Sequence, residues 1–467
     1  MTDTAIRGET MKIGSERRGS IRLAVVALCA AVFVVPLASF QGSAAPKIPL
    51  EERSTWDLDM IDSDATEYTG KGVYVAVLDT GLAPNWKDYF PAKSIATDLG
   101  KGFKEEIKWD SVTNTFVESG TVHEIGWIGD LGSTHGTHVT STILGYNYYA
   151  PADAAAGLPL MPVFVKGVAP DVTIIPVKVL ADYTIGVAHT DPVNYTDQKF
   201  VMGTDRAVAA GIRYATDLKI AGYSPMIITM SLGGPAPASV MEEAIDYAIA
   251  NGVIVVASAG NEGDAGMGYP GAYSQVISVG ACGWKYEWYG PDYVAPLPRY
   301  RLWWIQDDTY GFNDIPESSS DVVNEVYITE WSSRELEGQQ LDVVAPGSWV
   351  RGPYPGVPGY SHLPWWSPGM GWLNGMNPGN FYYLGGTSMS APHVTGVIAQ
   401  MLEKDSSLDQ MQVESILKDT ALEIPAGSMD IFDLSPVMDW YTYSWGADAT
   451  GSGLIQADDA LAAIPDM

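Results

Sequence analysis

Cysteine is almost missing from this chain: there are 2 in 467 residues, Cys29 and Cys282. Cys29 lies inside an apolar run near the N-terminus, so removal of that run leaves Cys282 alone and excludes an intrachain disulfide. An exported protein of this kind must draw its stability from packing or bound ions. Basic residues are scarce as well: 26 Lys and Arg face 56 Asp and Glu, a formal charge of −30. That balance excludes a nucleic-acid partner, because no basic patch can dominate the long-range field. It fits salt tolerance, cation binding or plain colloidal solubility, and the sequence does not separate these. With 46% hydrophobic and only 18% charged residues, the composition also excludes a disordered chain. The length suits one large α/β domain or two smaller ones.

Long apolar runs are missing too, with one exception at the N-terminus. There "SERRGSIR" gives a positive flank, "LAVVALCAAVFVVPLASF" an apolar core, and "QGSAAPK" small residues for cleavage near Ala44 or Ala45. Residues 1–45 therefore read as a signal peptide and the product as secreted or at the extracellular cell surface. Met11 is an alternative start that gives the signal a more usual length. Arg17 and Arg18 suggest twin-arginine export, but the residues after them fit it poorly, and Leu28 before Cys29 is a poor match to a lipoprotein site. The alternative is an uncleaved membrane anchor over residues 23–40, which is short for a full span.

After a polar lead-in come five Val/Ile-rich runs: "GVYVAVLDTG" (72–81), "VTIIPVKVL" (172–180), "MIITMSLGG" (226–234), "GVIVVASAGN" (252–261) and "QVISVGA" (275–281). Such runs suit strands buried on both faces of a parallel sheet. Helical patterns separate them, as in "THVTSTILG", "GTDRAVAAGIRYATDLKIAG" and "SVMEEAIDYAIANG". The alternation predicts an α/β fold, doubly wound, with a mainly parallel β-sheet flanked by helices. Reactive groups then collect at the carboxyl ends of the strands. Two aromatic-rich stretches, residues 283–330 and 348–382, are too long for ordinary connections and read as insertions. They are either self-packed loops or the lining of a cleft or docking face.

"YLGGTSMSAPHVTGV" (383–397) carries two serines, Ser388 and Ser390, at the start of a small-residue helix. A serine nucleophile needs a base, usually histidine, held by a carboxylate. Of the 6 histidines (123, 135, 138, 189, 362 and 393), His135 stands out, in "GSTHGTHVTSTILG" at a helix start. His138 reads as a packed helix residue; a metal site on the two lacks a third nearby ligand. Asp79 ends a buried strand, where a carboxylate is costly unless partnered. It is either a turn residue or the orienter of an imidazole. An aspartic protease would need a second Asp-Thr-Gly, and there is only this one. Asn261 closes another strand; its amide is either an Asx-turn group or a donor to a developing oxyanion.

Together these blocks resemble the subtilisin-like serine proteases (subtilases). "VAVLDTG" is similar to the family's aspartate motif, "HGTHV" to its histidine motif and "GTSMSAPHVTG" to its serine motif. "GVAP" (167–170), "MSLGGP" (230–235), "VASAGNEG" (256–263), "YPGAYSQVISVGA" (269–281), "LDVVAPG" (341–347) and "GSGLIQADDAL" (451–461) match in family order, so the resemblance covers roughly residues 56–462. Sedolisins share the serine block but not "HGTH". The resemblance implies a peptidase domain over 46–467, a three-layer α/β/α fold, and a protein or peptide substrate. It implies Ser388 as nucleophile, His135 as base, Asp79 as its orienter, and Asn261 with the Ser388 N–H as oxyanion hole. It also implies that the backbone of Ser231, Leu232 and Gly233 pairs with an extended substrate, while Ser258, Ala259 and Gly260 wall an open pocket.

Three features depart from the family pattern. No inhibitory propeptide is evident between the cleavage site and Asp79. The chemistry requires no cofactor, but a structural calcium is expected at Asp88; the matching partner loop is replaced by "YNYYAPADAAAGLPLMPVFV". Ser390 stands where the family usually has alanine. The competing function is a catalytically silent relative acting as a binding or surface-layer component. Substrate preference and oligomeric state are not readable.

Overall fold

The five Val/Ile-rich runs become five neighbouring strands of one sheet. Their order is Ile277–Trp284, Ile254–Ser258, Met226–Met230, Tyr74–Asp79, Thr173–Lys178, and every pairing among them is parallel. The structure is a computed structural model describing residues 52–53, 55–110, 112, 115–129, 134–149, 162–185, 198–285, 319–355, 381–433 and 439–466. All of these fall within the unit Leu50–Met467. The signal or anchor segment, most of both aromatic-rich stretches, and residues 150–161 of the expected calcium partner loop lie outside the described residues.

Antiparallel pairing is confined to the flanks. Val326–Ile328 pairs with Ile277–Trp284 on one side. On the other, Lys101–Asp110 runs parallel to Thr173–Lys178 and antiparallel to the edge strand Thr115–Ile125. Val343–Pro346 adds a further parallel partner to Ile277–Trp284. The expected doubly wound, mainly parallel sheet is therefore what forms.

Period-two alternation divides the core into two layers. Val75, Val77, Ile227 and Val256 face Val139 and Ile143 of the histidine helix (His135–Leu144), with Val394, Val397 and Ile398 of the serine helix (Thr387–Lys404). Ala76, Leu78, Ile228 and Val255 face the opposite way, onto Ala207 and Ile212 of helix Asp205–Ile220 and Ala244 and Ile245 of helix Ser239–Ala250. The serine helix is buried nearly all round, and its enclosed polar side chains, such as Ser390, His393, Thr395 and Gln400, are hydrogen-bonded. It packs on the histidine helix and on four of the strands.

The chain enters the sheet in the middle, at Tyr74–Asp79. It builds one side first and then the other. The reversal opens a crevice at the carboxyl ends of Tyr74–Asp79 and Met226–Met230, where an open α/β sheet holds its ligands. Leu78 is fully buried on the face away from the histidine and serine helices. Leu78→Ala should cost about 2–5 kcal/mol in urea unfolding. A loss below about 1 kcal/mol would mean that this layer is not close-packed.

Candidate active site

The candidate catalytic side chains sit near strand ends or helix starts. Asp79 is the last residue of its strand, and His135 is the first residue of its helix. Ser231 directly follows strand Met226–Met230, and Asn261 lies just beyond Ile254–Ser258. Ser388 is the second residue of the serine helix, where free N–H groups and the helix dipole favour negative charge.

The Asp79 side chain is 0% exposed, against 24% for His135. His135 Nδ1–H donates to Asp79 Oδ2 at 2.8 Å and lies 3.0 Å from Oδ1. The Thr80 backbone N–H adds a 2.6 Å bond to Oδ1. Thr80 also draws the histidine helix in: its Oγ1 accepts from the Gly136 N–H at 2.9 Å. Glycine is needed at 136, since a Cβ there would lie 2.6 Å from the Gly81 carbonyl oxygen and 3.1 Å from Asp79 Oδ1. Burial alone pushes the His135 imidazole down; the charge and hydrogen bond of Asp79 outweigh it and hold His135 above its ordinary 6.5. With Nδ1 fixed on the carboxylate, Nε2 is the nitrogen left to take a proton.

Ser388 owes its placement to a missing donor. Pro392 sits inside the serine helix and has no N–H, so the Ser388 carbonyl loses its i+4 partner. Ser231 supplies the substitute: its hydroxyl donates to Ser388 O at 2.7 Å. The Ser388 hydroxyl in turn donates to Ser231 O at a long 3.3 Å. No hydrogen bond among the described residues joins Ser388 Oγ to His135 in this state. Ser390 is fully buried, and its hydroxyl donates to Ala345 O at 3.0 Å, away from the cleft.

The Thr387 N–H points at the Asn261 amide at 2.9 Å. A backbone N–H can only donate, so the atom it meets is the amide oxygen and Nδ2 is the outward group. Among the described residues Nδ2 has no hydrogen-bond partner. Beside it opens a cleft of about 470 Å³, lined by Leu232, Gly233, Ser258 and Gly260 as expected, together with Asn261 and Ser388. One expected wall residue, Ala259, is not in that lining. Ala259 is fully buried, with its N–H on Val279 O (2.9 Å) and its carbonyl on the Gly268 N–H (2.8 Å). Ser231 is 3% exposed and spends its hydroxyl and carbonyl on Ser388. Sequence reasoning missed Glu262 and Met267 in the lining and Thr387 as the residue that orients Asn261. Thr387 lay inside the serine block, so it could have been found.

His138 is fully buried with Nε2 3.1 Å from Val350 O, as a packed residue. Asp88 ends the short turn Trp86–Asp88, and its Oδ2 accepts from Asn85 Nδ2 at 3.1 Å. No three His, Cys, Asp or Glu side chains converge among the described residues. No described helix is long and apolar enough to cross a membrane.

Residues 70–446 match the Subtilase family, peptidase S8. Subtilisin DY from Bacillus licheniformis is 26% identical over 376 residues, 79% of this chain and 92% of that protein. Fervidolysin from Fervidobacterium pennivorans is 28% identical over 402 residues, 85% of this chain and 41% of that one. The solved structure of sphericase shares the fold at 23% identity, with a TM-score of 0.50 over 86% of this chain and 97% of that one. The chain belongs to the subtilase family of serine-type endopeptidases.

Proposed function

We propose that this chain is an exported endopeptidase that cleaves protein or peptide substrates by acyl transfer at Ser388. The supporting observation is the 2.8 Å bond between His135 Nδ1 and the fully buried Asp79 carboxylate. It fixes the tautomer and leaves Nε2 to act as base. In this reading Ser388 Oγ turns from Ser231 O toward His135 and attacks the peptide carbonyl while Nε2 takes its proton. The oxyanion that forms is met by Asn261 Nδ2 and the Ser388 N–H. His135 then protonates the leaving amine, and water, deprotonated by the same nitrogen, releases the acyl group. Loss of one such oxyanion donor typically costs about 10²–10³ in kcat. Export rests on the N-terminal signal-like segment, with an uncleaved anchor over residues 23–40 as its variant.

One observation favours a silent relative: the Ser388 hydroxyl rests on Ser231 O rather than on His135. That bond is long, and catalytic hydrogen bonds often tighten only in the substrate complex. A fluorophosphonate probe decides between the readings. The folded chain should be labelled, Ser388→Ala should not, and Ser390→Ala should label like wild type. An unlabelled wild type makes the chain a silent relative.

The acid limb of kcat/KM follows from His135. Protonated imidazole cannot take the serine proton, so the rate must fall as pH drops through the His135 pKa. Asp79 raises that pKa, so the limb should be centred above pH 6.5. Asp79→Asn should move it lower and cut the rate by about 10⁴-fold. The same shift sets a stability window: the attraction acts fully below the unfolded value near 6.5 and fades as pH rises through the folded value. Serine and histidine supply nucleophile and base, so calcium at Asp88 would act on stability alone. A chelator should lower the melting temperature and leave initial rates of the still-folded enzyme unchanged. An immediate loss of rate at constant fold would contradict that assignment.

A further inference from the structure

Two carboxylate–imidazole pairs occur among the described residues, and only one lies at the cleft. The other joins Asp57, in the single-turn helix Trp56–Asp59, to His393 on the serine helix. His393 Nε2 lies 2.9 Å from Asp57 Oδ2, and the side chains are 0% and 5% exposed. His393 Nδ1 lies 2.8 Å from the Met389 carbonyl. A carbonyl only accepts, so Nδ1 carries a proton and Nε2 faces the Asp57 carboxyl group. Burial pushes the Asp57 carboxyl up, but the hydrogen bond and charge of His393, helped by Thr55, bring it below the usual carboxylate value. Both groups are buried, and removing one leaves the other without its hydrogen-bond partner.

Its location gives it a task. Met389 directly follows Ser388, and Pro392 has already taken a rung from this turn of helix. The turn is held from outside by Ser231 at the Ser388 carbonyl, and within the helix by the His393 ring at the Met389 carbonyl. The same lead-in segment holds the helix again further on. Gln400 accepts from Thr66 Oγ1 at 3.0 Å, and Glu403 accepts the backbone N–H groups of Thr69 (2.7 Å) and Lys71 (3.1 Å). We infer that Asp57 and His393 are positioning residues: acting through the Met389 carbonyl, they set the first turn of the serine helix so that Ser388 Oγ and N–H stand where the reaction needs them. This rests on Ser388 as the nucleophile. Neither residue lines the cleft, so their effect falls on the chemical step rather than on ground-state binding.

The test compares Asp57→Ala with Asp57→Asn at a temperature where both are folded. Asp57→Ala should lower kcat by about 10- to 100-fold, with KM within about twofold of wild type. The amide in Asp57→Asn can donate to a neutral His393 ring that still donates to Met389. It should therefore restore kcat to within about threefold of wild type. An Asp57→Ala enzyme that melts earlier but keeps full kcat overturns the inference. If Asp57→Ala does not fold, ¹⁵N NMR of the fluorophosphonate-inhibited wild type decides. His393 should show a protonated Nδ1, as the bond to the Met389 carbonyl requires, identified by its loss in His393→Asn, and an unprotonated Nδ1 overturns the inference. A wild type that neither labels nor turns over removes the nucleophile and the inference together. Turnover abolished by Ser388→Ala but untouched by Asp57→Ala removes the inference alone.

Discussion

A carboxylate with no exposure stands at the end of a strand buried from Val75 onward, and the site is organised around satisfying it. An uncompensated charge in that place costs several kcal/mol. Asp79 is met by the Thr80 N–H and by His135, and each of these demands something further. The histidine helix must begin at His135, so Gly136 must lack a side chain and Thr80 must hold the helix end. The raised affinity of His135 for protons is the same attraction seen from the other partner.

The serine side is built by subtraction. Pro392 deletes one helical hydrogen bond, and Ser231 replaces it from a neighbouring strand end. The first turn of the serine helix is thereby fixed against the sheet rather than against its own helix. Thr387, one residue earlier, spends its N–H on Asn261 and turns that amide outward. The histidine and serine helices pack on the same sheet face, so their N-termini converge at the crevice where the strand order reverses.

Much of this was legible in the sequence. Five Val/Ile-rich runs gave five adjacent strands, because burial on both faces demands that composition. Asp79, His135, Asn261 and Ser388 were marked by position at strand ends and helix starts, and the motif order tied them together. What escaped depends on spatial contact. Asp57 and His393 are 336 residues apart, and nothing local in either segment points to the other. Ala259 sits in a motif whose neighbours line the cleft, yet it is fully buried in the core just past the strand end.

The central claim is that Asp79 acts only through His135 and has no separate share in the chemistry. A double-mutant cycle on kcat tests this most directly, with Asp79→Ala measured once in the wild-type chain and once in His135→Ala. Residues that act as a unit are strongly non-additive. The account predicts a large loss in the first background and a change within about twofold in the second. An equal loss in both backgrounds would contradict it.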